Sequence, residues 1–235
     1  MKRLLLFATL VISSSLAAPA FAAAPEAASP EVVRTGLMLT LLAFVPAIIV
    51  SMTSFIRIAI VLAMVRHAFG MPETPPNMVL VSLALLLTSF VMAPTFASVN
   101  EGALKPFLAG EISVDAAMEA GAAPLRDFML AQTRDEDLAS IYAMSGAEPP
   151  ATPAEVDLFK LAPAFILNEL RVSFTIGFVI LLPFLLIELV VASILLSLGM
   201  MMVPPATISL PIKLLMFVVI DGWALVIEGV VGSFR

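Results

Sequence analysis

Cysteine is absent and histidine occurs once, at His67. Those two gaps remove much of the catalytic and metal-binding repertoire. Without cysteine there is no disulfide framework, no thiol nucleophile and no thiolate metal site. A lone imidazole has no partner for a histidine-based metal cluster. Charge is scarce as well. Only 13% of the 235 residues are Asp, Glu, Lys or Arg, against about a quarter in an ordinary soluble domain. The formal net charge of −6 excludes a basic nucleic-acid face. No Ser/His, Ser/Lys, paired-carboxylate or metal-ligand constellation stands out, so the residues point to no catalytic site, no metal and no cofactor. What is abundant is apolar: 61% of the chain is hydrophobic. So few charges cannot build a water-soluble surface, and most of the exterior must face lipid or protein.

The amino-terminal segment has the pattern of a processing signal. Lys2 and Arg3 precede a short apolar run, Leu4 to Ile12, and then a region rich in small residues from Ala17 to Ala24. Ala20-Phe21-Ala22 fits the small-x-small rule, so the expected signal peptide is 1–22 with cleavage after Ala22. An uncleaved anchor is the alternative, but the run falls short of the roughly 20 residues that span a bilayer. Residues 23–35 read as a linker, and the mature chain begins outside the cytoplasm.

Four apolar stretches follow, at about 36–65, 78–99, 161–198 and 208–234. Their composition predicts an all-α fold of long, proline-broken hydrophobic helices arranged as two hairpins, 36–99 and 161–235. As one helix the first stretch would be ~45 Å long, more than the ~30 Å hydrocarbon core, so it must tilt, kink or project. Pro46 is the expected kink. Between the hairpins lies one hydrophilic segment, 100–160, with seven more acids than bases against −6 for the whole chain. Asp115 to Tyr142 has helical spacing, with Met118, Leu125, Phe128, Met129, Leu138 and Ile141 as its apolar face. Starting from an outside amino terminus, the Arg66-His67 turn falls inside, where arginine is favoured. The acidic segment is then periplasmic and the carboxyl terminus lies outside.

Arg57, Glu169, Arg171, Glu188, Lys213, Asp221 and Glu228 lie within the apolar stretches. Such residues normally face protein or water. They serve either as an ion relay or as packing glue, and the absence of acid pairs at helical spacing favours glue. Lys213 is the only base in the fourth stretch and needs an acid. Glu169 is the expected partner, across a subunit boundary, with Glu188 and Asp221 as rivals. Pro46, Pro94, Pro183 and Pro211 each free a backbone carbonyl. Lipid-exposed backbone does not tolerate that, which points to helices packed in an assembly.

Gly199-Met200-Met201-Met202-Val203-Pro204-Pro205 is the most distinctive short segment. Glycine ends one helix and the paired prolines set an extended turn before the next. Three adjacent methionines on a loop cannot all enter one core. Methionine re-packs around differently shaped partners, so a ring of such loops would make a soft apolar gasket. Contact with lipid is the plainer reading, and the residues taken alone favour it.

Several segments together resemble the FliP/YscR/SctR family of type III secretion export-gate subunits. They are Ser51-Met52-Thr53-Ser54-Phe55-Ile56-Arg57-Ile58, the stretch from Gly70 to Pro94 with Pro75-Pro76-Asn77, and Pro124-Leu125-Arg126-Asp127-Phe128-Met129-Leu130. The most specific runs from Ile176-Gly177-Phe178 through the methionine–diproline segment to Asp221-Gly222-Trp223. The resemblance covers nearly all of 36–234. It implies a non-enzymatic, pore-forming core subunit of the flagellar branch, self-associating as a pentamer. It implies FliQ, FliR and other export-apparatus membrane proteins as partners, and unfolded rod, hook and filament proteins as cargo. The location implied is the inner membrane at the flagellar basal body, multi-pass, with a large part of the assembled cone on the periplasmic side. It also implies Met200, Met201 and Met202 as the gasket, which reverses the preference drawn from the residues alone. Gly199, Pro204 and Pro205 would shape that loop, and Glu169 and Lys213 would form the intersubunit ion pair. A virulence-injectisome subunit is the near alternative. A small-solute or proton transporter is the distant one, disfavoured because the halves show no clear repeat.

Overall fold

The computed structural model describes residues 30–70 and 73–234. The expected signal peptide, 1–22, the expected cleavage at Ala22 and residues 23–29 lie outside the described residues. Every regular element among the described residues is helical. The chain divides into two units between Val45 and Pro46. The first contributes the beginning of α1 (Pro30–Ser51), which starts inside the stretch read as a linker. There Thr40 Oγ1 donates 2.9 Å to the Gly36 carbonyl one turn back.

The second unit holds the remaining elements. Pro46 lies within α1, and the first apolar stretch breaks instead at 52–54. At that break Thr53 Oγ1 donates to the Ile49 carbonyl, while Met52 N–H reaches Ile48 at 2.9 Å. These bonds satisfy late carbonyls of the helix and end it. Then come α2 (Phe55–Ala68) and α3 (Asn77–Val91), whose start receives a hydrogen bond from Arg66 to Asn77. After Met92 the chain bends by 65° into α4 (Ala93–Val99). Pro94 sits in its first turn, where a missing N–H costs nothing. A π-helical turn, Asn100–Leu104, joins it to α5 (Lys105–Ala109).

Within the hydrophilic segment, the helical pattern from Asp115 to Tyr142 is divided between two helices rather than one. They are α6 (Val114–Gln132), capped by Ser113 accepting from Ala116 N–H at 3.3 Å, and α7 (Asp135–Ser145). Next comes α8 (Leu158–Ser197), 40 residues long and unbroken through Pro163 and Pro183. Asp157 caps its start at 2.9 Å from Phe159 N–H. The last pair is α9 (Pro205–Val219) and α10 (Gly222–Gly232), bent by 66°. Proline does not make that bend, since Pro211 lies inside α9. It falls at Asp221, whose φ of 51° is left-handed and cannot continue a helix. Gly222 then lies against Phe217, where a Cβ would come within 2.1 Å of the ring.

The main core forms where α2 packs along α8. Ile58, Val61, Leu62 and Val65 repeat at helical spacing on α2 and join one cluster with Leu80, Ala84, Phe184, Phe217, Val226 and Val230. Phe69 meets Phe184 and Phe217 edge-on at 5.4 and 4.8 Å, and Trp223 meets Phe217 at 5.4 Å. A smaller cluster of Met129, Val156, Leu161 and Phe165 joins α6 to the start of α8.

By length and composition α8 can cross a membrane, and the bent pairs α3 with α4–α5 and α9 with α10 each qualify if taken as one span. At 1.5 Å per residue α8 is about 60 Å long, roughly twice the hydrocarbon thickness. Only 17% of its most apolar window is buried, so most of that surface must find lipid or another chain.

Candidate functional site

The methionine loop hangs between α8 and α9 on two fixed ends. At the α8 end, Gly199 adopts φ +74°, its N–H bonds Leu196 O at 3.0 Å, and Met200 N–H bonds Leu195 O at 2.9 Å. That pair of bonds is a Schellman closure, which needs a residue without Cβ strain at the left-handed position. At the α9 end, Pro204 is extended at the cap and Pro205 opens the helix with φ already set. Met200, Met201 and Met202 between them are 44%, 81% and 96% exposed. Three adjacent flexible thioethers thus project from a loop whose ends are held. Such a surface can conform to varied apolar shapes, and it offers no group for acid–base or nucleophilic chemistry.

Five of the seven ionisable residues of the apolar helices find charged partners inside the chain, while Asp221 and Glu228 are exposed and in no ion pair among the described residues. Arg57 is the centre of the largest group. Its Nε donates to Glu169 Oε2 at 2.8 Å and a terminal nitrogen donates to Oε1, with both side chains essentially buried. The same terminal nitrogen bonds the Gln132 side chain at 3.1 Å, and the other bonds both the Ser233 carbonyl and hydroxyl at 2.9 Å. Lys213 Nζ lies 2.5 Å from Glu188 Oε2, the lysine buried and the glutamate 41% exposed. Arg171 makes a two-pronged contact with Asp137 at 2.6 and 2.8 Å, tying α8 to α7.

Within the chain, then, Glu169 and Lys213 do not pair. Each takes a partner the leading expectation did not give it, although Glu188 was a rival for Lys213. The physical reason is proximity. Arg57 on α2 faces α8 through the main helix–helix contact, and Glu188 lies on the part of α8 that packs against α9. Asp221 is exposed at the bend and takes part in no ion pair among the described residues. Sequence reasoning missed Gln132, Asp137, Asn168 and Ser233, none of which stands out by type. It had the signal for Arg57: the only charge between Gly36 and Val65 needs a partner as much as Lys213 does.

Comparison with known proteins supplies the family. Residues 38–230 match the FliP family. The chain is 50% identical over 202 residues to the flagellar biosynthetic protein FliP of Pectobacterium carotovorum, covering 86% of this chain and 78% of that one. It is 47% identical to the protein of that name from Caulobacter vibrioides, over 87% and 77% of the two chains. Against its Bacillus subtilis namesake it is 44% identical, over 89% and 95%. The matched span takes in Arg57, Glu169, the methionine loop, Lys213 and Asp221, and stops short of Ser233. The chain therefore belongs to the FliP family of flagellar biosynthetic proteins, structural components of an export apparatus and not enzymes.

Proposed function

We propose that this chain is a pore-forming core subunit of the flagellar type III export gate in the bacterial inner membrane. It self-associates as a ring, a pentamer by family resemblance, with FliQ and FliR and other export-apparatus membrane proteins. Unfolded rod, hook and filament proteins pass through the ring. The carrying observation is the methionine loop: three exposed, adjacent methionines held between a Schellman closure and a diproline cap. Side by side in a ring, such loops would close an aperture to ions with apolar contacts. They would yield to a passing chain because no hydrogen bond or ion pair has to break.

The test is to delete Met200, Met201 and Met202 or replace them with alanine in cells that carry the rest of the apparatus. Assembled rings that leak small ions are the expected result. Assembled rings that remain ion-tight would remove the gasket role.

An ion pair from Glu169 of one subunit to Lys213 of the next belongs to the same proposal. Making it would exchange Arg57 and Glu188 for new partners. Two double reversals separate the arrangements. Rescue of assembly by E169K/K213E supports exchange across the boundary. Rescue only by R57E/E169R supports the pair within the subunit.

A further inference from the structure

An arginine side chain has five N–H donors, and all five of Arg57 are engaged. Two go to Glu169 on α8. One goes to Gln132, the last residue of α6, and two go to Ser233, just past the end of α10. The face of the guanidinium is used too, with its carbon 3.8 Å from the centre of the Phe234 ring. Both helix ends would otherwise present unpaired carbonyls and the negative pole of the helix dipole. At α10, Arg57 bonds the Ser233 carbonyl. The Ser233 hydroxyl accepts from Arg57 and donates to Val230 O at 2.6 Å. At α6, the Asn168 amide donates to the Gln132 carbonyl while Arg57 takes the Gln132 side chain. Phe234 also stacks on Phe128 of α6, with ring centres 6.3 Å apart.

We propose that Arg57 is a positioning residue whose buried pair with Glu169 forms a dock for the tips of two helices, α6 of the hydrophilic segment and α10 at the carboxyl terminus. Ser233–Phe234 is the docking element on α10. The dock sets where the hydrophilic segment sits on the apolar helices. Lysine cannot replace arginine here, because one ammonium carries three donors from a single point and has no flat face to lay on a ring. The inference concerns the subunit in which Glu169 stays with Arg57: it does not depend on the methionine loop sealing a pore, whereas an exchange of Glu169 to Lys213 of the next subunit would undo the dock.

The absence of cysteine makes the test direct. A131C and G232C place spin labels beside the two docked tips, at exposed positions where a side chain at 232 meets nothing within 4 Å. The full chain is co-expressed with its apparatus and an excess of unlabelled chain, so that labels in neighbouring subunits contribute little. Pulsed electron paramagnetic resonance then reads the distance between tips. One narrow distance is expected, kept by F234Y, which retains the ring, and lost to a broad, longer distribution in R57K and in F234L. A narrow, unshifted distance in either R57K or F234L overturns the proposal. Should R57K not accumulate, the comparison of F234L with F234Y decides alone, since both leave the Arg57–Glu169 pair intact.

Discussion

Removing one half of the Arg57–Glu169 pair should cost far more than its share of removing both. In R57L the Glu169 carboxylate stays fully buried and loses both of its donors. Stranding a buried charge in this way costs about 3–5 kcal/mol. E169L strands Arg57 less completely, because the bonds to Ser233 and Gln132 and the Phe234 ring remain. Its cost belongs at the lower end, about 3 kcal/mol. In R57L/E169L no charge is left, and the loss reduces to the bonds at Gln132 and Ser233, each worth about 1 kcal/mol. The double variant should therefore lose roughly 2–3 kcal/mol where the singles sum to about 6–8, a coupling of about 3 kcal/mol or more, at or above the top of the range for contacting residues. Denaturant titration in detergent micelles, followed by fluorescence, can measure all four chains. Trp223 is the only tryptophan and packs on Phe217, so the signal reports the core that these helices share. Costs that add to within about 0.5 kcal/mol would refute the reasoning, because residues that do not interact behave that way.

Substitutions at three other places in the fold can be read by the same titration. At Gly199 a Cβ would meet open space, so G199A should cost only the left-handed strain, about 1–2 kcal/mol, without disturbing the packing of α8. At the α9–α10 bend the order reverses: G222A should destabilise by about 1–3 kcal/mol through overpacking against Phe217. The neighbouring D221G should be neutral or stabilising, because glycine takes φ 51° without strain. For the Lys213–Glu188 pair, E188L should be worse than K213M, since it strands a buried lysine at about 3–5 kcal/mol. Losing the lysine instead leaves a glutamate that is only half-buried.

The helical class was legible because apolar stretches of more than 20 residues leave a chain little else to form. The methionine loop was legible because glycine and paired prolines act locally. The Gly199 closure and the Pro205 start are set by their own backbone preferences. The breaks were harder to read. Proline marks a bend only near Met92, while Pro46, Pro163, Pro183 and Pro211 all lie inside continuous helices. Proline removes one donor, a loss these helices carry although all four prolines are exposed in the single chain. The bend at Asp221 comes from a residue type that tolerates left-handed backbone, a preference too weak to read without the fold. The Arg57 group was least legible, since Arg57 and Glu169 are 112 residues apart and their other partners are ordinary amides and hydroxyls.

The ion pairs also change why this chain should need companions. Stray charges in greasy helices suggest subunits that shield one another. The structure satisfies Arg57, Glu169, Lys213, Glu188, Arg171 and Asp137 within one chain. Asp221 and Glu228 remain exposed without an ion pair among the described residues, but most of what the apolar helices leave uncovered is apolar. Phe174, Phe178, Leu182, Leu185, Leu186 and Leu189 are exposed along α8, on a helix about twice as long as the hydrocarbon layer is thick. Lipid can cover about half of that length, and the half that projects needs protein. In the proposed ring, assembly would be driven mainly by area, with any Glu169–Lys213 pair between subunits buried from salt, and it should be only weakly sensitive to ionic strength. Raising ionic strength from about 0.1 M to 1 M cuts the screening length from roughly 10 Å to 3 Å. Rings held by exposed charges would loosen over that range. Rings held by the outward face of α8 should persist, whereas L182N/L186N should disperse them at any salt concentration.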